Sequence, residues 1–148
     1  MDVSPTKIAD GGGVYLTVMG RRVSEKLDYR TNVKLTKDAK VTVSLGALKD
    51  STAVSLSSTV TLPGTFAPGD VIHVRMQTYG TGTTTVRTKV WLGSAGEPSA
   101  WTVSATDSYA ALQAPGSVGL TAYVSGTTTA PTLPADLNVL ELAARPVV

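Results

Sequence analysis

Apolar and polar residues alternate along most of the chain. Val14, Leu16 and Val18 alternate with Tyr15, Thr17 and Met19, and Tyr29, Thr31, Val33 and Leu35 alternate with Arg30, Asn32 and Lys34. Val41, Val43 and Leu45 continue the series, followed by Val54, Leu56 and a run from Val60 to Leu62. Beyond the breakers Pro63-Gly64 and Pro68-Gly69-Asp70, Ile72, Val74 and Met76 alternate with His73, Arg75 and Gln77. Val86, Thr88 and Val90 alternate with Arg87, Lys89 and Trp91, and shorter runs occupy residues 101–105, 118–124 and 137–142. A period of two sends successive side chains to opposite faces of a sheet. Short runs of this kind between turn residues predict one all-β domain over residues 1–148, an antiparallel sandwich or barrel. The single helical expectation is a turn around residues 108–112. Gly80 to Thr85 reads as a hairpin loop. Residues 125–134 contain Pro131 and Pro134, which cannot donate to a ladder, and predict the long extended crossover of a Greek-key or jelly-roll topology.

Composition agrees with that picture and removes several functions. Charged residues are 16% of the 148 and hydrophobic residues 42%, against roughly 25% charged in an average soluble domain, so charge-driven disorder is excluded. A chain of this length buries roughly 68–70% of its extended surface and supports a core without staples. With no cysteine, disulfide scaffolds, thiol nucleophiles and cysteine metal sites are excluded. Net charge is +2. The cations are spread singly rather than in a stripe, which reads as solvated strand faces and not as a nucleic-acid surface. No apolar run approaches the ~18 residues of a membrane span. The opening MDVSPTKIADGGG lacks the layout of a secretion leader, so export would need another route or a larger assembly.

The catalytic inventory is thin. His73 is the sole histidine, no zinc spacing occurs, and neither a G-x-S-x-G elbow nor a phosphate loop is present. Gly11-Gly12-Gly13 precedes a strand, not a helix, and offers no anion site of the helix-terminus kind. Asp10, Asp28, Asp38, Asp50, Asp70, Glu97, Asp107 and Asp136 fall at expected turns, where carboxylates cap strand ends. Two or three of them with backbone carbonyls could hold calcium, but no linear loop signature marks such a site. No catalytic residue, metal ligand or cofactor is assigned.

The strongest candidate is a sheet face. If the runs around residues 72–77 and 86–91 pair as a hairpin, His73, Arg75, Gln77, Arg87, Lys89 and Trp91 share one surface. An aromatic plane suits the C–H face of a sugar, and forked polar groups suit its hydroxyls. The alternative for Trp91 is burial beneath a loop as a second core layer. Trp101, after Glu97-Pro98-Ser99-Ala100, reads as a core or hairpin-locking indole folding back from a proline-pinned turn.

Several motifs carry a family resemblance. Val86-Arg87-Thr88-Lys89-Val90-Trp91, then Gly96-Glu97-Pro98 and Trp101, resemble a recurring module of actinobacterial and actinobacteriophage proteins. Ala105-Thr106-Asp107-Ser108, the stretch from Leu112-Gln113-Ala114-Pro115 to Leu120, and Tyr123-Val124-Ser125-Gly126 fit it too, as do Gly11-Gly12-Gly13-Val14-Tyr15, Gly20-Arg21-Arg22-Val23 and Asp28-Tyr29-Arg30. The module is similar to concanavalin A-like, laminin G-like jelly rolls. The resemblance implies a virion or cell-surface location, a phage tail, fibre or capsid-surface protein being the leading expectation. It also implies weak attachment to cell-surface glycan, with Tyr123 as a rim aromatic of the site. Implied partners are that glycan and neighbouring virion proteins, in a homo-oligomer or larger assembly. Two departures stand out. Family members carry further N-terminal strands, so this chain is expected to be a trimmed piece, to borrow those strands, or to do without them; an open sheet edge would then invite pairing. The acidic E-x-D-x-x-E motif of the related glucanases is also missing, which leaves a hydrolase third, behind a purely structural decoration module.

Overall fold

Eleven strands carry the alternation in a computed structural model that describes residues 1–147. They are β1 (Asp2–Pro5), β2 (Val14–Ser24), β3 (Leu27–Leu35), β4 (Val41–Lys49), β5 (Thr52–Ser55), β6 (Val60–Thr61), β7 (Ile72–Tyr79), β8 (Thr84–Leu92), β9 (Val103–Asp107), β10 (Ser117–Val124) and β11 (Leu137–Glu141). Two 3-10 turns, Ala110–Leu112 and Ala130–Thr132, are the only helical segments among the described residues. One sheet has five strands in the order β11-β1-β7-β8-β9, and the other six, β10-β2-β3-β4-β5 with β6 added on β4. All pairings are antiparallel. The last two strands return across the chain to β2 and β1, giving an all-β, jelly-roll-like sandwich.

The inward phase of each strand supplies the core. Val14 and Leu16 of β2, Tyr29, Val33 and Leu35 of β3, and Val41, Val43 and Leu45 of β4 are buried against Ile72, Val74, Val86 and Val90 of the opposite sheet. Each such side chain stabilises the fold by about 1.5–3 kcal/mol on leaving water. The outward phase is thereby fixed as well, because a one-residue slip would exchange the two.

Several expectations need adjusting. β1 was not foreseen: four residues ending in proline carry no readable period. Leu56 lies beyond β5, where Ser57 Oγ accepts the Leu45 N–H at 2.9 Å and interrupts the ladder before β6. Trp101 precedes β9 instead of opening it. Asp28 is not at a turn; it is buried in β3 and takes two bonds from Arg30, at 2.6 and 2.5 Å. The 125–134 crossover is not wholly extended, since it contains the turn Ala130–Thr132. That crossover also explains the first two of the three glycines, the third being held close to the Leu35 carbonyl. A Cβ on Gly11 would strike the Thr127 carbonyl and one on Gly12 the Ser125 hydroxyl, while Asp10 accepts the Thr129 N–H at 2.7 Å and the Thr132 hydroxyl at 2.9 Å. The hydrogen bonds from Thr129 hold the Asp10 carboxyl below its ordinary pKa.

Candidate functional site

The hairpin β7–β8 forms as expected, and its register places His73 opposite Trp91, Arg75 opposite Lys89 and Gln77 opposite Arg87. These six side chains do share the outer face of the five-stranded sheet. They are not free. Residues 93–102 fold back over them, so that Glu97 accepts two bonds from Arg75 Nη1, both 2.9 Å, and one from Lys89 Nζ at 3.0 Å. The bond from Lys89, joined by that from Arg75, holds the Glu97 carboxyl below the usual carboxylate range. Arg87 donates twice to Gln77 Oε1, at 3.0 and 2.8 Å, and its guanidinium lies 4.2 Å from the Trp101 ring and 5.0 Å from the Tyr79 ring. Trp101 is thus the hairpin-locking indole, packed on cations rather than in the core.

Trp91 is half-buried, and one of its faces is taken by His73, whose ring stacks on it at 4.9 Å. The two His73 nitrogens face Asp2 Oδ1 at 2.8 Å and the Gly93 carbonyl at 3.0 Å. The other side of Trp91 opens on a groove of about 530 Å³, shared with Leu62, Pro63, Pro98 and Trp101. Its walls are apolar and offer few partners for hydroxyl groups.

Tyr123 is not at the rim of this face. It sits on β10 in the opposite sheet, directly across from Tyr15. The outward phase of that sheet forms two cross-strand rows: Tyr123, Tyr15, Lys34 and Thr42, then Thr121, Thr17, Asn32 and Ser44. Cross-strand neighbours at this spacing touch. The Tyr123 and Tyr15 rings stack at 4.8 Å and within 5° of parallel, and the Lys34 ammonium lies 4.9 Å from the Tyr15 centroid on the far side. Tyr123 is 59% exposed, so one face of an aromatic column meets solvent. A groove of about 580 Å³ runs from this stack across β3 and β4 to Thr59. Lys34, Thr42 and Ser44 project into it without a side-chain hydrogen bond to any described residue, and no carboxylate lines it.

A third polar cluster ties the sheets together. Asp107 at the end of β9 accepts from Lys49 Nζ at 2.6 Å, the Tyr29 hydroxyl at 2.8 Å and the Tyr109 N–H at 3.0 Å. Burial alone would raise its pKa; the bonds from Lys49, Tyr29 and Tyr109 outweigh it and hold the carboxyl below its ordinary value. Burial, reinforced by the bond to Asp107, pushes the Tyr29 phenol up to about 12. Among the described residues no group of three or more histidine or carboxylate side chains converges as a metal site would require.

The groove residues other than Tyr123 were not singled out by sequence, although their signal was present as the polar phase of β2, β3 and β4. What the sequence lacked was the register joining β10 to β2. The chain matches no family model, no curated protein and no solved structure.

Proposed function

We propose that this chain is a non-enzymatic carbohydrate-binding module, serving to attach a virion tail, fibre or capsid-surface protein to cell-envelope polysaccharide. One observation carries the reading. A single groove on the six-stranded sheet joins a solvent-facing tyrosine stack to the Lys34 ammonium and the Thr42 and Ser44 hydroxyls, which have no side-chain partner among the described residues, and to the Asn32 amide, whose oxygen accepts only a long bond of 3.4 Å from Thr17. Aromatic faces hold sugar C–H surfaces, and unpartnered polar groups take sugar hydroxyls without first losing internal bonds. Glycoside hydrolysis needs two facing carboxylates, which this groove does not supply. The virion setting rests on the family resemblance, and display in many copies would make a weak single site effective.

The test is retention on immobilised cell-envelope polysaccharide by wild type, Tyr123→Ala and Trp91→Ala, all shown folded by thermal melt. Wild type and Trp91→Ala should be retained, and Tyr123→Ala lost. Equal retention of all three would reject the groove as the site.

A structural or decoration module is the second reading, favoured by β11. This edge strand exposes Val139 and Leu140 on opposite faces, with Leu142 just beyond, and an apolar edge invites pairing with another chain. On that reading Leu140→Lys shifts the mass measured by light scattering from oligomer to monomer.

A further inference from the structure

Accepting the groove as the glycan site, we infer that its ligand is an acidic polysaccharide, one whose carboxylate or other anionic group is received by Lys34. The charges around the groove point one way. Two cations line it, Arg30 and Lys34, and no Asp or Glu does. Arg30 is neutralised by buried Asp28 through two hydrogen bonds. Lys34 has no carboxylate within bonding distance among the described residues; it rests on the Tyr15 ring instead. Every lysine or arginine on the outer face of β7 and β8 meets an acceptor, so the two sheet faces differ in this respect, and Lys34 is the cation held against an aromatic stack without an anionic partner.

The spacing fits a chain rather than an isolated anion. Strands lie about 4.8 Å apart, a distance comparable to the length of one sugar residue, so a glycan laid across the sheet would meet successive strands with successive sugars. Lys34 stands two strands from the exposed Tyr123 ring, with Asn32, Thr42 and Ser44 beside it as neutral partners for hydroxyls. A cleft lined by one sign of charge also raises the local concentration of a ligand of the opposite sign.

The experiment uses matched polymers differing only in charge: polygalacturonate with its methyl ester, and hyaluronan with its carboxyl-reduced form. Retention of wild type, Lys34→Gln, Lys34→Arg and Tyr123→Ala is measured by affinity electrophoresis. Wild type should prefer at least one acid over its neutral partner, and Lys34→Gln should lose about fivefold on the acid alone. Lys34→Arg should keep most of that retention, whereas Tyr123→Ala falls on both polymers. Raising salt from about 10 mM to about 1 M shortens the screening length from about 30 to about 3 Å and should erase the preference. Equal retention on both members of each pair, with Tyr123→Ala weakening both, overturns the charge inference and leaves the glycan site standing. Retention on none of the four polymers overturns the inference; if envelope polysaccharide also fails to retain wild type, the glycan reading falls with it.

Discussion

The sandwich has two outer faces made from similar residues, and they differ in where the partners of those residues lie. On the five-stranded sheet Arg75 and Lys89 converge on Glu97, Arg87 on Gln77, and His73 covers Trp91. On the six-stranded sheet the cation next to the aromatic pair has only a ring beneath it. The physical cause is the connection that follows each face. β8 is followed by residues 93–102, which bring a carboxylate and an indole back over their own strand. The strands β2, β3 and β4 are joined by tight turns that leave their outer face uncovered. A donor-rich strand therefore does not identify a binding surface until the loops above it are known.

The largest expected effect falls on neither face. Asp107→Ala removes the acceptor of Lys49 and Tyr29 in a mostly buried cluster and should cost about 3 kcal/mol of unfolding free energy, read by denaturant titration. It should weaken glycan retention only where the protein is unfolded. The same cluster sets an alkaline limit. The Tyr29 pKa is raised from 10 to about 12 in the folded chain, so its contribution is full below pH 10 and is lost as pH rises through about 12. This amounts to about 3 kcal/mol, and Tyr29→Phe should flatten that part of the stability profile.

On the open face, Tyr123→Ala should cost about tenfold in retention, or ~1.4 kcal/mol, with little change in melting temperature because the ring is exposed. The closed face should show the reverse pattern. Glu97→Gln should leave retention unchanged and cost less than about 1 kcal/mol, as exposed ion pairs do. Because the Glu97 pKa is lowered from 4.5, the clasp contributes fully above pH 4.5 and is lost as pH falls through the lowered value. The wild type should therefore lose its advantage over Glu97→Gln in acid.

How much of this could be read in the sequence follows from range. Strands β2, β3, β4, β7 and β8 announce themselves because alternation is local, and so does the β7–β8 pairing, which needs only a short loop. β1 was hidden because four residues hold no period and its partners, Ile72 with His73 and the strand Leu137–Glu141, are far along the chain. The position of Tyr123 was misjudged for the same reason: its neighbour is Tyr15, across the whole domain in sequence. Glu97 is expected at a turn but lies in the irregular stretch after the turn at Gly93 and Ser94, and its role is set by where that loop lands. Asp28 shows the limit of assigning carboxylates to turns, since a carboxylate beside Arg30 on the same strand is buried and paired without any turn.

The most direct test is an amide and indole NMR titration of the wild type with oligosaccharides released from cell-envelope polysaccharide. Perturbations concentrated at Tyr15, Thr17, Asn32, Lys34 and Tyr123, with the Trp91 and Trp101 indole N–H signals unmoved, are the result predicted here. Movement of the two indole signals with the tyrosine face unaffected would contradict it and return the site to the five-stranded sheet.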